Sequence, residues 1–166
     1  VTSKEITLQE AQLSDSQKKN VTGHELIENL LEQIAFEARS NEFVDPKSGV
    51  SARLTISAYE TIFSAAERRM IINGESKTHI RISDFWGIIP SITGKIELVY
   101  EGEQEGAMIV AQNLISKSIR FQFKNYFPDP EKLKRKKEAN PYLEIIEWFS
   151  NGNEIDILND ASEKDY

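Results

Sequence analysis

Apolar residues recur at three- and four-residue spacing along most of this chain, and that period commits it to helices packed on one another. Ile27, Leu30, Leu31, Ile34, Ala35 and Ala38 fall on one helical face. Leu54, Ala58, Tyr59, Ile62, Phe63, Ala66 and Met70 repeat the pattern. Phe85, Trp86, Ile88, Ile89 and Ile92 mark a third stretch, which Pro90 must kink or split. Met108, Ala111, Ile115 and Ile119 form a fourth stripe, and Tyr142, Ile145, Ile146 and Phe149 a fifth. Strand-type alternation is scarce. The expectation is an all-α fold, a helical bundle of about five helices with an irregular or short-strand tail.

Capping and turn residues set the expected boundaries. Thr22 with Glu25 has the capping-box spacing and starts a helix over 23–40. Asp45-Pro46 and Ser48-Gly49 make a loop, Ser51 caps a helix over 52–73, and Gly74 ends it. Ser83 is the natural cap for a helix over 84–97, with Asp84 favourable in its first turn. Gly102 and Gly106 interrupt the pattern before a helix over 105–124. Pro128 and Pro130 close that segment, 131–138 is charged and helical, and Pro141 opens a last helix over 141–150. The expected division is a polar linker over 1–21, a helical domain over 22–126, and a helical extension with an acidic tail over 127–166.

Composition excludes several classes of function. The chain has no cysteine, which removes disulfides, thiol catalysis and thiolate metal sites and fits a cytoplasmic protein. Its net charge of −7 argues against a general nucleic-acid surface. There is no apolar run of membrane-spanning length and no leader-like start; the first residue is Val1 rather than Met, which reads as a cut piece or a tag remnant. The chain, 39% hydrophobic and 28% charged, has the composition of an ordinary folded domain.

Few residues carry obvious chemistry. A P-loop wraps phosphates with backbone amides and needs Gly-x-x-x-x-Gly-Lys followed by a hydroxyl. Thr93-Gly94-Lys95 comes nearest, but Ile89 stands at the first glycine and Ile96 at the hydroxyl. His24 and His79 sit in separate segments without metal-ligand spacing, and there is no Gly-x-Ser-x-Gly elbow. Glu101, Glu103 and Glu105 could hold a cation such as magnesium, but they equally suit a solvated turn before a helix's positive end. Lys132, Lys134, Arg135, Lys136 and Lys137 form a basic run without interleaved aromatics, which reads as a solvated helix face.

One segment says more than composition does. Val44-Asp45-Pro46-Lys47-Ser48-Gly49-Val50-Ser51-Ala52-Arg53 resembles the Val-Asp-x-x-Ser-Gly-Val-Ser-x-Arg element of the magnesium-chelatase ATPase subunit and its relatives. Ser48 to Leu54 also resembles the Gly-Ala-Ser-Pro-Arg-Ala element of MoxR-type AAA+ ATPases. Two further stretches look like the same group: Ala65-Ala66-Glu67-Arg68-Arg69, and the run from Ile92-Thr93-Gly94-Lys95 to Glu105-Gly106. The resemblance spans about 22–126.

The resemblance implies the helical lid of an AAA+ ATPase, with Arg53 as its sensor-2 arginine. A planar, always-charged guanidinium suits a γ-phosphate and the charge that develops in phosphoryl transfer. Implied partners are an N-terminal AAA+ core, neighbouring subunits of a ring and a client protein, and implied cofactors of the full-length protein are ATP and magnesium. Walker A and Walker B are absent from this sequence, so no cofactor and no catalytic residue is expected here. The alternative is a non-enzymatic helical interaction module that docks a partner through the acidic turn or the basic run.

Overall fold

A computed structural model describes residues 2–136, 140–156 and 159–166, without the side chains of 134–136. Its elements in chain order are α1 (Ser3–Glu10), α2 (Asp15–Asn20), β1 (Val21–Thr22), α3 (Glu25–Arg39) and α4 (Arg53–Ile72), then β2 (Thr78–His79) and a 3-10 helix (Ile82–Ile88). These are followed by α5 (Ile89–Thr93), α6 (Tyr100–Glu105), α7 (Ala107–Tyr126), α8 (Pro130–Lys136) and α9 (Leu143–Ser150). The fold is all-α, apart from one parallel pair of two-residue strands.

Three long amphipathic helices supply the core. Ile27, Leu30, Leu31 and Ile34 of α3 meet Leu54, Ala58, Ile62 and Ala66 of α4 and Val110, Ala111, Leu114 and Ile115 of α7. Phe85, Ile88 and Ile92 close the core from the 3-10 helix and α5. The stripes of α3 and α4 are those the sequence periodicity marks; on α7, Ala111 and Ile115 are buried as expected, but Met108 is exposed and Val110 and Leu114 take its place in the core, and Trp86 of the third stretch is exposed too. A fully buried aliphatic side chain is worth about 1.5–3 kcal/mol, so this face-to-face burial is what drives assembly. Gly74 ends α4 at φ +64°, with its amide on Ile71 O and the Glu75 amide on Met70 O, as a Schellman cap requires.

The structure corrects several boundaries. Within the stretch expected to be a linker, residues 2–21 form two helices and a short strand. A reciprocal Thr2–Glu5 capping box starts α1, and a Ser14–Gln17 box starts α2. Both helices lie on α4: buried Thr7 bonds Thr55 through their hydroxyls at 2.7 Å, and Gln17 Nε2 donates to Ser64 Oγ. Thr22 is not the cap of α3, because its backbone is committed to β1, where its carbonyl accepts from Ile80 N. His24 caps α3 instead, its Nδ1 accepting from Leu26 N at 3.2 Å. The helix expected over 84–97 is a 3-10 turn plus the short α5, split at Pro90 and ended at Gly94. Asp84 rather than Ser83 holds its start, Oδ2 accepting from Arg81 N at 2.7 Å. No strand forms in the described part of the tail.

Residues 96–99 lie beside the loop before α4. Asp45 N donates to Glu97 O, Val99 N donates to Phe43 O, and Val44 bridges Leu98. Gly102 in α6 permits this approach: a Cβ there would stand 2.5 Å from the Phe43 carbonyl oxygen. Gly102→Ala is therefore expected to destabilise the chain by about 1–3 kcal/mol, as overpacking against backbone does. The midpoint of urea unfolding reads this, and an unchanged midpoint would show that the two segments are not held together.

Candidate functional site

Arg53 is the first residue of α4, and its side chain is exposed. Ala52, the residue before the helix, makes no side-chain cap bond, and the first turn holds no acidic residue. Ser51 organises this end: its Oγ accepts from Arg53 N and its carbonyl from Leu54 N. A helix N-terminus already carries partial positive charge, so a guanidinium placed there is locally unfavourable unless an anion joins it. Among the described residues the Arg53 guanidinium has no hydrogen-bond or ion-pair partner. The preceding loop is not slack: Gly49 turns it at φ +66°, Lys47 N bonds Asp45 Oδ1, and the Ser48 hydroxyl bonds the Glu97 carboxylate.

Two of the motif-bearing stretches thus meet. The loop over 44–53 and the segment over 92–106 pair through backbone and through Ser48–Glu97, beside a cleft of about 500 Å³ lined by Thr93, Ile96, Glu97, Leu98, Glu103 and Ala107. Glu101, Glu103 and Glu105 lie exposed on α6, a helix rather than the expected turn. At about 100° per residue, Glu101 and Glu105 share a face and Glu103 points to the opposite side, so the three carboxylates do not converge. Among the described residues no group of three or more His, Asp or Glu side chains forms a metal-ion site. Gly94 follows α5 and its amide returns to Pro90 O and Ile92 O, whereas a P-loop glycine precedes its helix and offers its amide to phosphate.

The third motif stretch builds a different centre. Arg69, near the C-terminal end of α4, is 1% exposed. Its Nε and Nη2 donate to the two carboxylate oxygens of Asp84, at 3.3 and 3.0 Å. Nη1 donates to Thr78 Oγ1 at 2.9 Å and Glu163 Oε1 at 3.3 Å, and Nη2 also donates to His79 O at 2.7 Å. A guanidinium has five N–H groups, and all five have an acceptor. Buried Arg81 stands beside it. Its Nη1 donates to Ala161 O, its guanidinium lies 4.0 Å from the centre of the Tyr166 ring, and its Nη2 is 3.5 Å from Glu163 Oε1. Arg68 pairs with Asp160 at 2.7 Å. Two acids of the tail, Asp160 and Glu163, are therefore held by arginines of α4 and the segment after β2.

Glu163 shows the balance of forces. Burial alone would raise its pKa. Hydrogen bonds from Thr78 Oγ1, His79 N and Arg69, with the charge of Arg81, outweigh that and lower it from 4.5 to about 2. Burial pulls Arg69 down, and the hydrogen bonds and charges of Asp84 and Glu163 overcome this, so its pKa is raised. Sequence reasoning placed Arg69 in a motif but missed this cluster, because the partner carboxylates come from positions 15 and 94 residues away. The available signal was a pair of adjacent arginines facing an acidic tail.

The remaining candidates stay apart. His24 caps α3, and exposed His79 lies 3.8 Å from Glu163. In the basic run, Lys132 is on α8, while Lys137 and the side chains of Lys134, Arg135 and Lys136 lie outside the described residues. Among the described residues no helix is long and apolar enough to cross a membrane. No protein-family model, no curated protein and no solved structure matches the chain.

Two outcomes test the arginine cluster. Asp84→Ala removes the bidentate partner of a buried guanidinium, two of its five acceptors, and should cost about 3–5 kcal/mol in chemical denaturation. Glu163 binds its proton more weakly folded than unfolded, so its contribution is present above pH 4.5 and disappears as pH falls from there towards 2. With solvent screening at a third-exposed side chain, Glu163→Gln should lower stability by about 1 kcal/mol near pH 7 and by nothing measurable near pH 2. Equal losses at both pH values would contradict the assignment.

Proposed function

We propose that this chain is the lid of an AAA+ ATPase of the magnesium-chelatase or MoxR type, with Arg53 as the nucleotide-sensing arginine. The observation that carries the reading is Arg53 itself: an exposed guanidinium, without a partner among the described residues, at the N-terminus of a 20-residue helix whose first turn holds no acidic residue. That arrangement fits a terminal phosphate, which offers several charged acceptors to a forked donor and gains from the helix dipole. The three-stretch resemblance supplies the identity of the phosphate as that of ATP.

The lid reading gives the helix a mechanical role. α4 is continuous over about 30 Å at 1.5 Å per residue. A pull on Arg53 at one end moves Arg69 and everything bonded to it at the other. Nucleotide state would thereby set the position of the tail and of β2. Binding and splitting of ATP with magnesium belong to a core bearing Walker A and Walker B, neither of which this sequence contains. Ring neighbours, a client protein and a cytoplasmic setting belong to the same proposal.

A second reading, a non-enzymatic helical interaction module, is favoured by one observation, the uncovered apolar helix α9. Nucleotide hydrolysis separates the two. This chain alone should release no phosphate from ATP, and the protein joined to its core should hydrolyse ATP and lose at least about tenfold of that rate with Arg53→Ala. Arg53→Lys should recover only part of it, since an ammonium lacks the forked geometry. Full activity in Arg53→Ala, with unchanged melting, rules out the sensor role.

A further inference from the structure

Five apolar residues of α9, Leu143, Ile145, Ile146, Trp148 and Phe149, are between 42% and 55% exposed. They fill more than half of the circumference of this eight-residue helix, and Glu144 and Glu147 take the remaining arc. Ile145, Trp148 and Phe149, with Ile155 and Glu144, surround a hollow of about 320 Å³. The stretch 143–156 carries four carboxylates, Glu144, Glu147, Glu154 and Asp156, and no Lys or Arg. This is an apolar surface of the kind that marks an interaction site, with an acidic border.

A surface of the opposite sign lies on the bundle. Lys117, Arg120, Phe121 and Lys124 share the outer face of α7, at spacings of three and four residues. With Glu37 and Asn125 they line a groove of about 380 Å³. Phe121, 54% exposed, stands among the three cations. Lys124 is shared with Asp129 and Glu131. Among the described residues Lys117 and Arg120 have no carboxylate partner, and Glu37 is occupied by Gln33 Nε2 at 2.9 Å.

The two surfaces complement each other in shape and charge: an aromatic knob ringed by cations, and an apolar hollow bordered by carboxylates. In one molecule both are uncovered. The start of α9 is pinned at the end of α7, where Tyr142 Oη donates to Pro128 O at 2.7 Å and the Tyr142 ring packs on Phe123 at 5.9 Å. We infer that α9 of one copy docks in the Lys117–Arg120–Phe121 groove of a second copy, head to tail. Phe121 enters the hollow beside Trp148, and Lys117 and Arg120 meet Glu144 and Glu147. A contact between two different patches closes as a dimer when two copies exchange it reciprocally, and otherwise continues into a ring or a filament. The inference stands on these two surfaces and not on the nucleotide reading.

Analytical ultracentrifugation of the chain at rising concentration tests it, with circular dichroism confirming that each variant is folded. The native chain should self-associate, to a reciprocal dimer or beyond. Trp148→Asp, which destroys the apolar hollow, and the double change Lys117→Glu with Arg120→Glu, which reverses the groove, should each weaken assembly by at least about tenfold. Adding Glu144→Lys and Glu147→Lys to the reversed groove should restore it. The decisive measurement mixes the two defective proteins. Each keeps one sound surface, so the mixture should form a one-to-one dimer that grows no further. A native chain that stays monomeric, a mixture that does not pair, or assembly indifferent to the groove charges overturns the proposal; the last outcome would mean that α9 pairs with α9.

Discussion

The fold depends on keeping one charge out of water. Arg69 is buried, and an unpaired buried guanidinium would cost more than the stability of most small domains. The structure meets this with five acceptors drawn from four places: both oxygens of Asp84, the Thr78 hydroxyl, the His79 carbonyl and Glu163. Each acceptor brings its own segment to the end of α4. Asp84 fixes the 3-10 helix, Thr78 and His79 fix β2, and β2 in turn holds β1 and the start of α3. Glu163 brings the tail. Apolar burial supplies the energy of the bundle, and this cluster decides which loops lie where.

That division explains what could be read in advance. The stripes of α3, α4 and α7 are strong because each is a local repeat, visible within a window of about 15 residues. The splitting of the third helix at Pro90 is equally local, since the missing N–H belongs to that residue alone. By contrast α1 has little apolar pattern: Ile6 is on the exposure boundary, Leu8 is exposed, and the residue that is buried is Thr7. Its capping box, Thr2 with Glu5, was the readable sign, and polar composition concealed it. The tail misled for a related reason. Its acids look like a solvated end until the arginines that hold Asp160 and Glu163 are placed in space.

The site divides along the same line. The start of α4 is legible because Ser51, two residues before Arg53 in sequence, also accepts from its amide. The carboxylates of α6 were legible as residues but not as geometry. Whether three alternating acids converge depends on whether their segment is a strand-like turn or a helix, and here Gly106 at φ +100° ends a helix. The pairing of 44–53 with 92–106 could not be foreseen from either stretch. It rests on one antiparallel bridge, two backbone hydrogen bonds, the Ser48–Glu97 contact and a glycine that leaves room for a carbonyl.

The short parallel pair Val21–Thr22 with Thr78–His79 has a consequence for how the chain reaches this state. Two strands of two residues cannot stand alone, and this pair closes a long loop that contains both α3 and α4. Loop-closure entropy is repaid only after those helices have packed, so the ladder forms behind them rather than nucleating them. The tail contact, between residues 94 apart, needs Thr78 and His79 already in place and follows last. Opening runs in the reverse order: the tail leaves first, then the ladder, and the α3–α4–α7 core only with global unfolding. The same arginine that sits deepest in the native protein is thus the one whose last partner arrives latest.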